Sequence, residues 1–122
     1  MRVLVAFERI RSSYAEAIAF AISEMLPELE VRLCVLKDLE RDLRSFDPHA
    51  VVCSRPRAAQ SGARGAWIEI PTEDGLRDSE RLAQICLDGD RWKSDGPPLA
   101  ELVEVLDETQ KRLREGNLRG SC

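Results

Sequence analysis

The feature that most constrains this chain is the alternation of short apolar strands with a long helical stripe over its first half. Arg2 to Phe7 reads RVLVAF, a continuous apolar run that is typical of a strand buried on both faces. A capping-box pattern begins at Ser13, and apolar residues follow it at helical spacing as far as Pro27. Glu30 to Leu36 is the next apolar run, so the chain opens as strand, helix, strand.

A shorter helix and a third strand extend this pattern. Asp38 stands where it can cap a short helix, and the apolar residues of that helix lie on one side: Leu39, Leu43 and Phe46. Asp47-Pro48-His49 predicts a turn, because the residue before a proline avoids the helical region. Ala50 to Cys53 is then the third strand. The resulting β-α-β-α-β order is the core of a doubly wound sheet.

The second half of the chain predicts two more strands and one helix. Ala66 to Ile70 and Leu82 to Leu87 read as strands four and five, and Asp88 to Gly96 reads as a polar loop. Pro97 and Pro98 suit the start of a helix with an apolar stripe, and Gly116 is placed to end it.

We therefore predict an α/β fold with a doubly wound, five-stranded, mostly parallel sheet in the order 2-1-3-4-5. Helices are expected to be reduced or missing around strands 4 and 5. Residues 1–116 would form a single domain and residues 117–122 a flexible tail. The links on both sides of strand 4 barely reach the length of a parallel crossover, so either they cross without a helix or part of this edge is antiparallel.

One face of strands 4 and 5 is then left without helical cover. Buried apolar surface needs a partner layer, so we expect either a homodimer through this sheet face or the two long loops folded over it.

Composition limits the partners and the location. The chain carries 18 basic and 22 acidic side chains, a net charge of −4, which argues against binding to nucleic acid through phosphate neutralisation. The four cysteines have no metal or redox spacing, and three of them lie in apolar runs, so we expect reduced core cysteines. That usage, with no export or membrane-spanning signal, predicts a cytoplasmic protein that does not bind membranes.

Cofactor and metal sites are not indicated. No glycine-rich phosphate loop follows the first strand, so neither a dinucleotide nor FMN is expected. His49 is the only histidine, and its place before strand 3 puts it at the opposite end from the ligand crevice of such a sheet.

Three segments together resemble the receiver domains of bacterial two-component response regulators, which have a flavodoxin-like fold. They are the opening strand that ends in Glu8, the phrase from Phe46 to Cys53, and the phrase from Asp95 to Leu102. The resemblance implies a pair of acids after strand 1 and a phosphorylated Asp after strand 3.

The residues that carry receiver chemistry are changed here. Glu8 is followed by Arg9 instead of a second acid, and strand 3 ends in Cys53-Ser54-Arg55, which has no carboxylate. Thr72 can answer to the Thr or Ser that receivers place after strand 4. The resemblance therefore implies a pseudo-receiver that lacks the nucleophile of phosphoryl transfer, so we expect no catalytic activity.

The carboxyl ends of strands 1 and 3 are the expected ligand position, because open α/β sheets bind ligands where the strand order reverses. Arginines and hydroxyls follow both strands, and Ser12 and Ser13 also precede a helix N-terminus, which favours anions. The candidate anion-binding residues are Glu8, Arg9, Ser12, Ser13, Ser54, Arg55, Arg57 and Thr72. The alternative is that the arginines are solvated or paired with nearby acids.

Two functions remain open. The first is a non-catalytic receiver-like signalling or protein-interaction domain. The second is a binding protein or an enzyme that takes a small anionic ligand or nucleotide in this crevice.

Overall fold

The computed structural model describes residues 1–7, 13–54, 65–70, 83–94, 98–118 and 120, with the side chains of residues 13, 14 and 98 excepted. Within these residues the chain forms six strands, three α-helices and a 3₁₀ turn at Leu36–Asp38. The strands are β1 (Arg2–Phe7), β2 (Glu30–Val35), β3 (Ala50–Ser54), β4 (Ala66–Ile70), β5 (Ala83–Leu87) and β6 (Asp90–Ser94). The helices are α1 (Ser13–Met25), α2 (Leu39–Phe46) and α3 (Pro98–Glu115).

All six strands form one sheet in the order β2-β1-β3-β4-β5-β6. The pairs β1–β2, β1–β3 and β3–β4 are parallel, whereas β4–β5 and β5–β6 are antiparallel. The α/β class is thus confirmed, but the predicted five-stranded sheet is wrong in strand number, because a sixth strand joins the edge. Of the two possibilities left open for the strands beyond β4, the antiparallel one is observed. The short link between β4 and β5 agrees with this result, because an antiparallel neighbour needs no long crossover.

The sixth strand replaces most of the polar loop predicted over residues 88–96. Asp88 and Gly89 form the two-residue turn between β5 and β6, with φ angles of 53° and 92°. Positive φ at both positions is the signature of the hairpin turn that matches the twist of the flanking strands, and Asp-Gly is a preferred pair for it. Tertiary pairing with β5 therefore turns a strongly polar pentapeptide, DRWKS, into an edge strand.

Helices cover the two faces of the sheet unequally. The apolar side chains of α1 and α3 pack on one face, against alternate residues of β1, β3, β4 and β5 such as Val5, Val52, Ile68 and Ile85. The other face packs under α2, whose Phe46 meets Leu4, Val51 and Cys53 of the same sheet. We call these the α1/α3 face and the α2 face.

Helix ends follow local rules. Gly116 has a φ of 72° and closes α3: its N–H donates to the carbonyl of Leu113 at 3.2 Å, and the N–H of Asn117 donates to that of Arg112 at 2.9 Å. This pair of bonds is a Schellman motif, which a glycine permits at lowest strain. Asp38, expected to cap α2, makes no capping hydrogen bond through its side chain.

The segment after α3 contacts the amino edge of the parallel strands. Leu118 is half-buried, and its Cδ2 lies close enough to Gly65 that a Cβ there would be 2.9 Å away. The N–H of Gly120 donates to Oδ1 of Asp88 in the β5–β6 turn. Among the described residues, no helix is both long and apolar enough to span a bilayer.

Candidate functional site

The sheet reverses its strand order at β1, which lies between β2 and β3. Both neighbours run parallel to β1, so the carboxyl ends of all three strands lie at one edge. Along the chain β1 is followed by β2 on one side of it, and β3 is followed by β4 on the other. Open α/β sheets bind ligands where the strand order reverses in this way. α1 follows β1 and begins at Ser13, so its positive N-terminal end follows the same edge.

Ser54 is the last residue of β3 and lies at this edge. Neighbouring side chains of a strand point to opposite faces, and Cys53 lies on the α2 face, so the side chain of Ser54 lies on the α1/α3 face. Ser54 is one residue beyond the last pair of β1 and β3, which is Ala6 with Cys53. The residue is 4% exposed. Among the described residues, its Oγ is the one buried side-chain oxygen or nitrogen with no hydrogen-bond partner. A buried hydroxyl without a partner is costly, by about 1–3 kcal/mol, and such a group calls for an explanation.

Most of the predicted crevice residues lie outside the described residues. This is true of Glu8, Arg9, Ser12, Arg55, Arg57 and Thr72, and of the side chain of Ser13. Ser54 is therefore the one predicted site residue whose side chain is described. Its position at the carboxyl end of β3 is the position that the sequence predicts.

A second feature is a shallow hollow of about 210 Å³ on the α2 face at the antiparallel edge. Its walls come from two rows that cross β4, β5 and β6. Trp67, Cys86 and Arg91 form one row; Glu69, Gln84 and Lys93 form the other. Ile85 and Trp92 complete the lining.

The hollow has an apolar inner side and a charged outer side. Trp67 and Cys86 are 6% and 5% exposed, whereas Arg91 and Lys93 on the edge strand are exposed. Residues directly opposite each other on antiparallel strands share a face, so both cations project from the same side of β6. The sequence predicts a polar loop at Arg91 and Lys93 and so does not identify them as a pair on one face. The Asp88-Gly89 dipeptide is a pattern that favours a hairpin turn and could have indicated the strand.

The other side of β6 packs towards α3. Trp92 lies opposite Ile85 on the α1/α3 face, and its Nε1 donates to Oε1 of Glu101 at 3.3 Å. Trp92 is 38% exposed, as expected for an aromatic residue on an edge strand. The indole thus joins the hairpin to the first turns of α3.

His49 lies at the amino edge, away from the crevice. The imidazole Nδ1 of His49 accepts a hydrogen bond from the backbone N–H of Arg2 at 3.1 Å. The backbone N–H of His49 donates to the backbone carbonyl of Arg2 at 2.9 Å. Burial and the positive charges of Arg2 and the chain N-terminus lower the pKa of His49 from its usual 6.5. This histidine is a neutral structural acceptor that ties β1 to β3.

The thiols near the crevice are not reactive nucleophiles. Burial, with Glu69 nearby, raises the pKa of Cys53 well above 9.0, and its Sγ lies 3.7 Å from the carbonyl of Ile68. Burial and the Asp42 carboxylate raise the pKa of Cys34 to about 12. Both are free cysteines, as predicted, and neither presents a thiolate at neutral pH.

Cys86 differs from these two residues because it is disulfide-bonded. The expectation of reduced core cysteines is therefore wrong for Cys86. Its position on β5 is apolar in sequence, which is why the run QICL indicated an ordinary core thiol.

Within the residues described, no group of three or more metal-ligating side chains comes together. Comparison of the chain with protein-family models, with curated protein sequences and with solved structures gave no match.

Proposed function

We propose that this chain is a small-ligand binding domain that takes an anionic compound, bearing a phosphate or a carboxylate, at the carboxyl edge between β1 and β3. The observation that carries the proposal is the buried, unpartnered hydroxyl of Ser54. A buried hydroxyl without a hydrogen-bond partner destabilises the protein without ligand. An oxygen of a ligand bound at this edge would supply the missing hydrogen bond and remove that cost.

The surroundings of Ser54 favour an anion. α1 follows β1 at the same edge, and the free N–H groups of a helix N-terminus favour negative charge. Arg55 follows Ser54 directly in the chain and Arg57 comes two residues later. Guanidinium groups bind phosphate and carboxylate through paired hydrogen bonds, so they suit the same ligand class.

The test is thermal unfolding in the presence of inorganic phosphate and of AMP, with chloride at equal ionic strength as the reference. A ligand at 100 times its dissociation constant stabilises the folded state by about 2.7 kcal/mol. We expect Arg55→Ala/Arg57→Ala to remove the stabilisation. We expect Ser54→Ala to weaken it while leaving the apo protein as stable as before or more so, since no protein hydrogen bond is lost.

The matched control is Thr109→Val, which also deletes a buried hydroxyl. The Oγ1 of Thr109 donates to the carbonyl of Val105 at 2.7 Å, so this variant should lose stability and keep its ligand response. A Ser54→Ala protein that is destabilised and still responds fully to both anions would contradict the proposal.

A second candidate is a receiver-like protein-interaction domain without phosphoryl chemistry. The β-α-β-α-β order of the first half supports it, as does the absence of a carboxylate from the described part of β3. Incubation with acetyl phosphate followed by intact-mass measurement tests whether the protein accepts a phosphoryl group. A pseudo-receiver gains no phosphoryl group, and it shows no stabilisation by phosphate or AMP.

The predicted homodimer and cytoplasmic location stay predictions. Trp67 and Cys86 are already buried within one chain, so the α2 face of β4 and β5 does not demand a second copy. Light scattering on the purified protein and cell fractionation test the two predictions.

A further inference from the structure

The strand β6 forms an edge of the sheet, and its outer side is open. Among the described strands it pairs with β5 alone, and it is the last strand in the sheet order. Residues 90–93 of this strand are all exposed. An edge strand presents a row of unpaired backbone N–H and C=O groups, with which an extended segment of another chain can pair.

The β5–β6 turn decides which backbone groups of β6 point outward. The residues on its two sides, Leu87 and Asp90, form the closing pair of the ladder. In a two-residue hairpin the closing pair exchanges both backbone hydrogen bonds, and hydrogen-bonded pairs then recur at every second residue. The backbone of Trp92 therefore bonds to β5, whereas the N–H and C=O groups of Arg91 and Lys93 point away from β5.

Arg91 and Lys93 also carry the positive charge of this edge. Their side chains lie on the α2 face of β6, opposite Cys86 and Gln84 of β5. Neither cation makes an ion pair with another described residue. The hollow of about 210 Å³ lies beside both side chains and leaves space on this face. The same two residues thus combine outward backbone groups with two positive charges that are available to a partner.

The other edge of the sheet does not favour one charge in this way. That edge is β2, on which Glu30 and Arg32 share one face and have opposite charges. The guanidinium group of Arg32 already lies over the ring of Phe46, with 4.6 Å between its Cζ and the ring centroid. A partner segment of a single charge sign is therefore favoured at β6 and not at β2.

We propose that β6 binds an extended acidic segment of a partner protein, which joins the sheet as a further strand antiparallel to β6. Two acidic residues, two positions apart in the segment, lie opposite Lys93 and Arg91. Each acid exchanges backbone hydrogen bonds with the residue opposite it and pairs with the cation on the same face. A second copy of β6 does not fit, because its outward-facing residues are the same two cations.

This surface is separate from the proposed ligand site. Ser54 lies on β3, and β4 and β5 stand between that strand and β6. The inference therefore does not depend on the binding of an anion at the carboxyl edge, and it concerns a different class of partner.

The test is an NMR titration of the isotope-labelled full chain with a short, end-blocked peptide in which threonine and glutamate alternate. We expect the amide signals of Arg91 and Lys93 to shift at millimolar peptide and low salt, and their hydrogen exchange to slow. A peptide with glutamine in place of glutamate should bind at least about threefold more weakly. Equal binding of the two peptides, or unchanged signals at both residues, would overturn the proposal.

Methylation of peptide nitrogens distinguishes a paired strand from an anion that only associates with the cations. In the proposed register the glutamate N–H groups point at β6 and the threonine N–H groups point away from it. Methylation of the glutamate nitrogens should therefore abolish binding, whereas methylation of the threonine nitrogens should leave it unchanged. Undiminished binding of the glutamate-methylated peptide would show anion association only and would contradict strand addition.

Charge reversal gives a result that a fold defect cannot imitate. Arg91→Glu/Lys93→Glu should prefer a peptide in which lysine replaces glutamate, because the sign of the edge is reversed. The control is Lys111→Glu/Arg114→Glu, which makes the same change in net charge at exposed positions of α3. This control should keep the preference for the glutamate peptide. A preference for the lysine peptide in both double variants would mean that overall charge governs binding, against the assignment to β6.

Discussion

The backbone of Arg2 and the side chain of His49 are joined by a hydrogen bond in which the N–H of Arg2 donates to Nδ1 of the imidazole at 3.1 Å. Nδ1 can accept only when it carries no proton, so this bond requires neutral histidine. The pKa of His49 is lowered from 6.5 by burial and by the positive charge of Arg2. The folded state therefore binds this proton less readily than the unfolded state.

We expect the folded protein to lose stability as pH falls below about 6.5, until the pH reaches the lowered pKa of folded His49. Above the pKa of His49 in the unfolded chain, neutral His49 makes its full contribution to the free energy of unfolding. His49→Asn provides the control, because its amide oxygen can accept from Arg2 without titrating. Urea unfolding at pH 7.5 and pH 5.5 should show a smaller drop for the variant. Equal drops would mean that other groups control this range.

Gly65 is predicted to tolerate no side chain. A Cβ there would lie 2.9 Å from the carbonyl oxygen of His49, from Cδ2 of Leu118 and from Cγ2 of Thr109. Gly65→Ala should therefore cost about 1–3 kcal/mol of unfolding free energy by overpacking. Gly116→Asn is the control, because Asn tolerates positive φ and nothing lies near its Cβ. Denaturant titration should find the control close to wild type.

The free thiols of Cys34 and Cys53 should not react with thiol reagents at a measurable rate in the native protein. Cys34 and Cys53 are 3% and 0% exposed, and the pKa of Cys34 is raised to about 12. We expect very slow reaction of both with Ellman's reagent at pH 8, and rapid reaction of both in urea. Asp42→Asn removes the carboxylate that helps to raise the pKa of Cys34, so it should speed the native reaction at that site alone. A fast native reaction mapped to Cys34 or Cys53 in the wild type would contradict their burial.

β6 should be protected from edge-to-edge pairing by its charges. Arg91 and Lys93 are exposed on the same face of this edge strand, and an antiparallel copy would bring cations opposite one another. Lysines and arginines on an edge strand oppose association of this kind. Arg91→Val/Lys93→Val should therefore raise the average mass with concentration in light scattering.

Lys111→Ala/Arg114→Ala serves as the control, because it removes the same charge from exposed positions of α3. This control should keep the wild-type mass. Equal association of both double variants would point to net charge and not to the edge strand.

The candidate ligand edge was predictable to the extent that it depends on strand ends. Ser54 could be placed at the carboxyl end of β3 from the apolar run before it. Its lack of a hydrogen-bond partner could not be predicted, because partners depend on which residues the folded chain brings near. The cation pair of Arg91 and Lys93 was missed because a strand as polar as DRWKS carries no apolar alternation.

The sequence by itself determined the first half of the fold and the start of its last helix. Strands β1 and β4 have the predicted bounds, and β2, β3 and α3 differ from prediction by a residue or so, because apolar runs and helical periodicity are local properties. Only the tertiary structure decided the direction of β5, the existence of β6 and the contact between Gly120 and Asp88. Strand pairing and the route of the chain after a helix depend on contacts between distant residues, which no local pattern records.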